Sequence, residues 1–432
     1  MNITFLQILV GITYFISLFL IIYWMIYFIE KKSTIMKEKD REKPILKKYP
    51  FTTIVIPAYN GEHHVIKTLN SVVKLEYPHD RFEILVVNDG SKDHTEKMVR
   101  YFITNYDKKN LGKERISIKL INQPRNMGKA EALNTAMTQA RGEYFACIDA
   151  DSTVDSDALL YMMDMFQKDP QLAIATPVMK VDNPETWLQK FQRLEYMSSM
   201  LIIKLMGFMN SNYVAPGPFS VYKISVLRKL GKFDGKYNIE DQEIAWRAQK
   251  HHYKIRQCGH AFVYTVAPRN LKSFTRQRTR WFRGSILTMY TYKDMTFNKK
   301  YGDFGLFQIP LMITSYILSI VALFLFGYYI IKPFIRQIYN WFLINFDLLN
   351  GLKHWTFTFN ILDVQMMQVL IIYLVLLINI ILLYYSSRSS NDKVRQYGAI
   401  YIIPYFFLYY VLLGVILIKS LFEITINKKQ KW

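Results

Sequence analysis

Three polar turns follow three apolar runs in the first half of the chain, and their residue types suggest one kind of chemistry. Pro57-Ala58-Tyr59-Asn60-Gly61-Glu62 ends the first run, Asn88-Asp89-Gly90-Ser91 the second, and Asp149-Ala150-Asp151 a later one. Two carboxylates one residue apart suit a hard divalent cation such as Mg²⁺ or Mn²⁺, which takes oxygen ligands and keeps positions free for the phosphate oxygens of a diphosphate. Asn126-Met127-Gly128-Lys129-Ala130 puts a lysine at a helix start, where an ammonium and the helix dipole both favour phosphate. Each feature also has a plain alternative. Asn-Asp-Gly-Ser is a good generic turn, Asp-Ala-Asp can begin a helix, and a lysine at that place can simply be solvated.

The elements that must carry these residues alternate. Apolar β-branched runs at Thr52 to Ala58, Phe82 to Val87, Ile116 to Asn122 and Glu143 to Ile148 predict strands. Helical patterns near Glu62 to Leu75, His94 to Phe102, Lys129 to Ala140 and Ser156 to Phe166 follow them. This spacing predicts βαβ units, an α/β fold with a mostly parallel sheet and helices on both faces, and a site beyond the carboxyl ends of the strands. No Gly-x-Gly-x-x-Gly or P-loop pattern occurs, so a dinucleotide dehydrogenase and a P-loop NTPase are not supported.

The chain has 432 residues, 51% hydrophobic, with a formal net charge of +21. Ile3 to Ile29 is uncharged and long enough to span a bilayer, and it predicts a retained anchor. Lys31 to Lys48 carries eight Lys/Arg against three acids, which places that side in the cytoplasm. Phe304 to Ile331, Val364 to Tyr385 and Ala399 to Ile418 are further candidate spans. Three full spans would put Lys428, Lys429 and Lys431 outside, against the charge rule, so the segment with Pro404 is a candidate for re-entry. Lys272 to Lys300 holds eight basic residues against one acid, interleaved with aromatics, and reads as an amphipathic helix in the headgroup layer of the lipid bilayer. With spans on both sides, membrane and not nucleic acid is the expected partner of this charge. Cys147 and Cys258 make neither a disulfide framework nor a zinc site.

Taken in order, Tyr59 with Glu62, Asn88-Asp89-Gly90-Ser91, Gly128-Lys129-Ala130 with Ala132-Leu133-Asn134, Asp149-Ala150-Asp151, Glu240-Asp241 and Gln277-Arg278-Thr279-Arg280-Trp281 resemble family 2 glycosyltransferases. The last motif matches Q-x-x-R-W of the membrane-bound processive branch that includes cellulose, chitin and hyaluronan synthases. The terminal segments are most similar to the bacterial poly-β-1,6-N-acetylglucosamine synthases. The resemblance implies a GT-A-type domain inserted between transmembrane helices, Mg²⁺ or Mn²⁺ as cofactor, a UDP-sugar donor and a growing polysaccharide acceptor, with a small membrane or export protein as a further partner.

Residue by residue, it implies that Asp89, Tyr59 and Glu62 line the uracil pocket and that Asp149 contacts the nucleotide. Asp151 becomes the principal metal ligand, with Asp149 beside it. Lys129 and Arg280 face the diphosphate. Gly217 and Pro218, in Ala215-Pro216-Gly217-Pro218-Phe219-Ser220, sit on the acceptor floor with Glu240, Gln277 and Trp281, whose ring stacks on the acceptor sugar. Asp241 would be the general base, a role an inverting transfer asks of a single carboxylate. Glu243 is its adjacent rival. Arg276, Arg278 and Arg283 are expected at lipid headgroups.

The expected plan is an anchor helix over 1–30, a basic linker over 31–49, the transferase domain over 50–268, the interfacial segment over 269–300, about three membrane segments over 301–420 and a basic tail over 421–432. The expected activity is inverting, metal-dependent polymerisation of a UDP-sugar, with UDP-N-acetylglucosamine as lead, by a multi-pass cell-membrane protein. Transfer of one sugar to a polyprenyl phosphate, a synthase using another UDP-sugar, and a non-catalytic membrane scaffold are the alternatives.

Overall fold

The computed structural model of the chain describes residues 5–39, 42–111, 115–343 and 366–426. Eight strands form one mixed sheet: β1 (Thr52–Ala58), β2 (Phe82–Asn88), β3 (Ser117–Asn122), β4 (Tyr144–Cys147), β5 (Ser152–Val154), β6 (Leu172–Val181), β7 (Val221–Lys223) and β8 (Lys254–Thr265). Their order across the sheet is β3-β2-β1-β4-β7-β6-β8-β5. The four predicted strands pair in parallel at one side, while β7 runs antiparallel to both β4 and β6. The second half of the sheet, with its antiparallel pairings, is absent from the sequence expectation; β5 and β7 are only three residues long there, whereas β6 and β8 run to ten and twelve.

Alternation of side chains along a strand explains why two cores form. Ile54 and Ile56 of β1, with Ile84 and Val86 of β2, face one apolar cluster together with the helices α2 (Val65–Val72), α3 (Thr95–Lys109) and α5 (Ala158–Lys168). Val55, Leu85 and Val87 face the opposite cluster with α4 (Lys129–Gln139), α7 (Ile224–Leu230) and α8 (Glu240–Lys250). Register then sets the site. Ala58 lies opposite Asn88 and Val55 opposite Cys147, so the turns after β1, β2 and β4 share one edge.

Helix α6 (Trp187–Phe208) starts with a capping box in which Thr186 and Gln189 satisfy each other's backbone, and α9 (Leu271–Thr291) starts with the Asn270 side chain accepting from the Ser273 amide. Among the described residues four helices are long and apolar enough to cross a membrane: α1 (Phe5–Lys39), α10 (Phe304–Leu343), α11 (Met366–Ser389) and α12 (Ile402–Thr425). Pro404 falls in the first turn of α12, where its missing N–H is harmless, and the helix continues past it as a π-helical turn over Tyr405–Tyr409. The helix is thus continuous through Pro404. The basic tail at 427–432 and the first residues of the Val364 segment lie outside the described residues.

Ion pairs stitch these helices to the domain. Glu38 of α1 meets Lys204 of α6 at 2.9 Å, Asp392 meets Arg193, and Glu423 of α12 meets Arg283 of α9 at 3.1 Å. Helix α9 also presses on the segment before α8, because Gly284 leaves no side chain there: a Cβ would come within 2.6–2.8 Å of the Ile239 side chain. Gly284→Ala should destabilise the protein by about 1–3 kcal/mol through this overpacking, measured as a lowered midpoint in thermal unfolding of the detergent-solubilised protein.

Candidate active site

Strand ends supply the first wall of the cleft. The turns after β1 and β2 are knitted together: the Asn60 amide donates to Ser91 Oγ at 3.0 Å, the Lys92 amide to Asn60 Oδ1 at 2.9 Å, and the His94 amide to Glu62 Oε2 at 2.9 Å. Tyr59 leaves this knot with 42% of its surface exposed. Asp89 is buried, and its two oxygens accept from the amides of Met127 at 2.7 Å and Gly128 at 2.8 Å. Burial raises its pKa and these two amides partly offset the rise. Gly128 adopts φ +91°, a left-handed conformation that costs glycine little and delivers the loop into α4.

Lys129 follows at once. Its Nζ lies 2.5 Å from Asp149 Oδ1 and 3.2 Å from Glu240 Oε1, so one ammonium joins the end of β4 to the start of α8. Desolvation works against that charge, but Asp149 and Glu240 outweigh it and hold the Lys129 pKa well above its ordinary value. Asp241 is next in α8. Desolvation and then Glu240 push its pKa up to about 6, against the opposing pull of Lys129, Arg280 and its own bond from the Gln242 amide at 2.8 Å. Its backbone carbonyl accepts from the Ala215 amide at 3.1 Å and so fixes the loop of Gly217 and Pro218, which is buried. Gly217 stands against Lys129 and Asp149, with no room for a Cβ beside the ammonium.

Glu243 is engaged elsewhere: it pairs with Arg247 and accepts from the Tyr292 hydroxyl at 2.6 Å. With Glu240 held by Lys129, Asp241 is the first-turn carboxylate that lines the cavity. A cavity of about 500 Å³ opens from it, bounded by Trp281, Glu195, Arg278 and Tyr213 and continuing to Leu20 and Trp24 of α1 and Ser315 and Tyr316 of α10. Arg280 sits close enough to Asp241 to stabilise its charge, while Gln277 is only partly buried one turn away.

Two expectations fail here. Arg278 and Arg283 do not reach a headgroup layer; they are 5% and 8% exposed and pair with Glu195 and Glu423. The face of α9 that carries them is covered by α6 and α12, which composition could not reveal. Arg276, on the opposite face, is exposed. Glu195 and Tyr409 are the site residues that sequence reasoning missed, and a lone acid inside the apolar stretch of α6 was the only signal.

The fit to a divalent cation can be tested on the donor set. Asp149 and Asp151 flank one turn, Asp151 accepts from Ser152 Oγ at 3.1 Å, and its pKa is raised by desolvation and then by Asp149, a crowding of carboxylates that a cation relieves. Among the described residues no cluster of three or more His, Cys, Asp or Glu converges on a metal position. Two hard oxygen donors therefore fit an ion that shares its remaining coordination with a phosphate-bearing ligand.

A glycosyl transferase family 2 model matches residues 53–231, and a glycosyl transferase family group 2 model matches residues 144–418. The poly-beta-1,6-N-acetyl-D-glucosamine synthases of Staphylococcus epidermidis and Staphylococcus aureus strain COL are 32% and 31% identical over 283 and 280 residues, each match covering 62% of this chain and 64% of the relative's length. A mannosyltransferase from Pyrobaculum calidifontis, solved with GDP-mannose and Mn²⁺, is similar in fold with a TM-score of 0.58 at 16% identity, over 98% of this chain and 99% of that one.

The site geometry carries two expected outcomes. If Asp241 must be ionised to act, kcat/KM falls about tenfold per pH unit below its pKa of about 6. Because that value lies above the unfolded one, the stabilisation from this group is present at low pH and lost as pH rises through about 6. A pH profile of rate alongside one of thermal midpoint should thus move in opposite directions. Gly217→Ala displaces the flexible end of Lys129 and not backbone, so turnover should drop at least tenfold, by roughly the worth of one charge-assisted bond, with a nearly unchanged thermal midpoint.

Proposed function

The chain belongs to family 2 of the glycosyltransferases, and from that premise we propose that it polymerises a UDP-sugar, with UDP-N-acetylglucosamine as lead, into a β-linked polysaccharide at the cytoplasmic face of the cell membrane. The observation that carries this reading is the cavity. The carboxylate of Asp241 opens into a half-open cavity of about 500 Å³ walled by Trp281 and by the apolar helices α1 and α10. An acceptor held there is a chain directed toward the membrane.

In this reading the donor occupies the strand edge. Asp89, Tyr59 and Glu62 serve the uracil end; each oxygen of Asp89 has one lone pair left after its backbone bond. Asp149 and Asp151 hold Mg²⁺ or Mn²⁺, which when bound neutralises the charge developing on the leaving diphosphate. Lys129 and Arg280 add fixed positive charge to the same side, with Arg280 suited to a bidentate hold on phosphate. Asp241 takes the proton of the acceptor hydroxyl, and its raised pKa matches it to that task near neutral pH. Gly217 and Pro218 bring the loop close beneath the reacting groups, Glu240 holds Lys129 in place, and Gln277 and Trp281 complete the acceptor floor. The basic stretch from Lys31 to Lys48, which begins in the last turns of α1, and the exposed Arg276 support an orientation with the domain in the cytoplasm. Passage of the product across the bilayer, alone or with a small membrane partner, follows the course of the cavity.

Radiolabelled UDP-sugars offered one at a time to purified protein, with sizing of the product, test the proposal. Polymer from UDP-N-acetylglucosamine that disappears on chelation and returns with Mg²⁺ or Mn²⁺ is expected; a single sugar on a lipid overturns it. Asp151→Asn should abolish metal-dependent turnover. Asp241→Asn should cost about 10²- to 10⁴-fold in rate with donor affinity unchanged. Trp281→Ala should cut polymer formation at least about tenfold while UDP binding persists; normal polymer from that variant would make Trp281 a headgroup anchor.

A further inference from the structure

Trp281 does not hold its own position. The guanidinium of Arg278 stacks over its ring, 4.2 Å from the centroid, and the same group lies 5.1 Å from the Phe274 ring. Arg278 Nη2 donates to Glu195 Oε2 at 2.5 Å and to the Tyr409 hydroxyl at 3.3 Å, and that hydroxyl donates to the same Glu195 oxygen at 2.6 Å. Arg278 and Tyr409 are 5% and 1% exposed. Glu195, Arg278 and Trp281 line the same cavity as Asp241.

Stability alone does not ask for this arrangement. A buried ion pair is often matched or bettered by apolar side chains of similar volume, because desolvation consumes much of its Coulombic gain. What the pair supplies is direction. A guanidinium is a rigid plane, and two acceptors on one of its nitrogens fix the orientation of that plane; a ring stacked on it inherits the orientation. Glu195 comes from α6, Arg278 and Trp281 from α9, and Tyr409 from the π-helical turn of α12. Three elements thus converge on one indole. A π-turn adds a residue to the helical turn, a rare feature that recurs at functional sites.

We propose that Arg278, oriented by Glu195 and Tyr409, is a positioning residue that sets the plane of Trp281 and so the registry of the acceptor sugar with Asp241, tying the floor of the site to a membrane helix. This inference rests on the reading of Trp281 as acceptor floor.

The test compares Arg278→Lys, the paired change Arg278→Met with Glu195→Gln, Tyr409→Phe, and Trp281→Ala, each as full-length protein in lipid nanodiscs. Polymer yield and length from UDP-N-acetylglucosamine, UDP affinity, donor hydrolysis by water and thermal midpoint are read for all four. Lysine keeps a charge opposite Glu195 but loses the plane, so Arg278→Lys should lower polymer formation roughly 3- to 30-fold, the worth of a partly to fully desolvated stack, and leave UDP affinity within about twofold. The paired change removes both charges together, avoids a stranded buried carboxylate, and should give a loss of the same kind. Tyr409→Phe should give a smaller loss and shorter product. Indole emission assigned to Trp281, as the difference between wild type and Trp281→Phe, should shift in Arg278→Lys, which a merely structural role would not require.

Wild-type polymer from Arg278→Lys and from the paired change, with Trp281→Ala still defective, overturns the inference and leaves the polymerase reading standing. Equal losses of polymer, UDP affinity and donor hydrolysis in Arg278→Lys show a structural pair only and also overturn it. Wild-type polymer from Trp281→Ala removes the acceptor-floor role of Trp281 and this inference with it, and leaves the polymerase reading standing. If the paired change does not fold, Arg278→Lys decides alone.

Discussion

An ammonium placed among carboxylates in a largely closed cleft is the constraint around which this active site is built. Lys129, with a side chain 19% exposed, cannot keep its charge there without partners, and its partners come from distant parts of the chain. Asp149 arrives on the end of β4 and Glu240 on the first turn of α8. The amides before the lysine are held in turn by Asp89 at the end of β2. One cation therefore makes the ends of two strands and the starts of two helices meet at a point, and the loop of Gly217 must stay bare to let it reach them. The same charge moderates Asp241, which Glu240 and burial would otherwise drive further from its ordinary pKa. Moving any of these elements would leave a charge unpaired, so the site resists partial assembly.

The parts of this that were legible in the sequence are those whose period or spacing is local. The runs at Thr52, Phe82, Ile116 and Glu143 became β1 to β4 because each is a short, largely apolar run of the kind a sheet covered on both faces needs, and parallel pairing then forces their ends to one edge. Asp241 was expected on a first helical turn and stands there. The expected helix from Glu62 begins only at Val65, since Glu62 spends its side chain on the His94 amide and Gly61 and its neighbours form the turn instead. What composition could not carry was the environment of the arginines. Arg276 and Arg278 are two residues apart in a basic stretch, yet on a helix that spacing puts them on different faces, and only the fold decides which face meets α6 and α12.

That seam between domain and membrane helices is charged. Lys204 and Arg278 are each about 5–6% exposed, and each is matched by an acid. The apolar surfaces of the spanning helices are free to face lipid, because ion pairs specify how those helices sit on the domain. Specificity of this kind is bought in part with stability, since burial of the pairs costs desolvation energy that packing of apolar groups would not.

Helix α1 can be viewed as a measuring rod. Glu38 near its end is pinned to Lys204 and to the Gly259 amide, and its backbone carbonyl meets His260, so the rod has a fixed zero mark on the domain. Trp24, on the cavity wall, lies roughly 21 Å back along the axis at 1.5 Å per residue. Depth along the cavity is thereby counted in residues of one helix. Adding a single residue between the two marks would slide the far end by about 1.5 Å and turn it by about 100°, carrying Trp24 off the wall altogether. Length and phase of this helix are then as much a part of the cavity's shape as the side chains that face it.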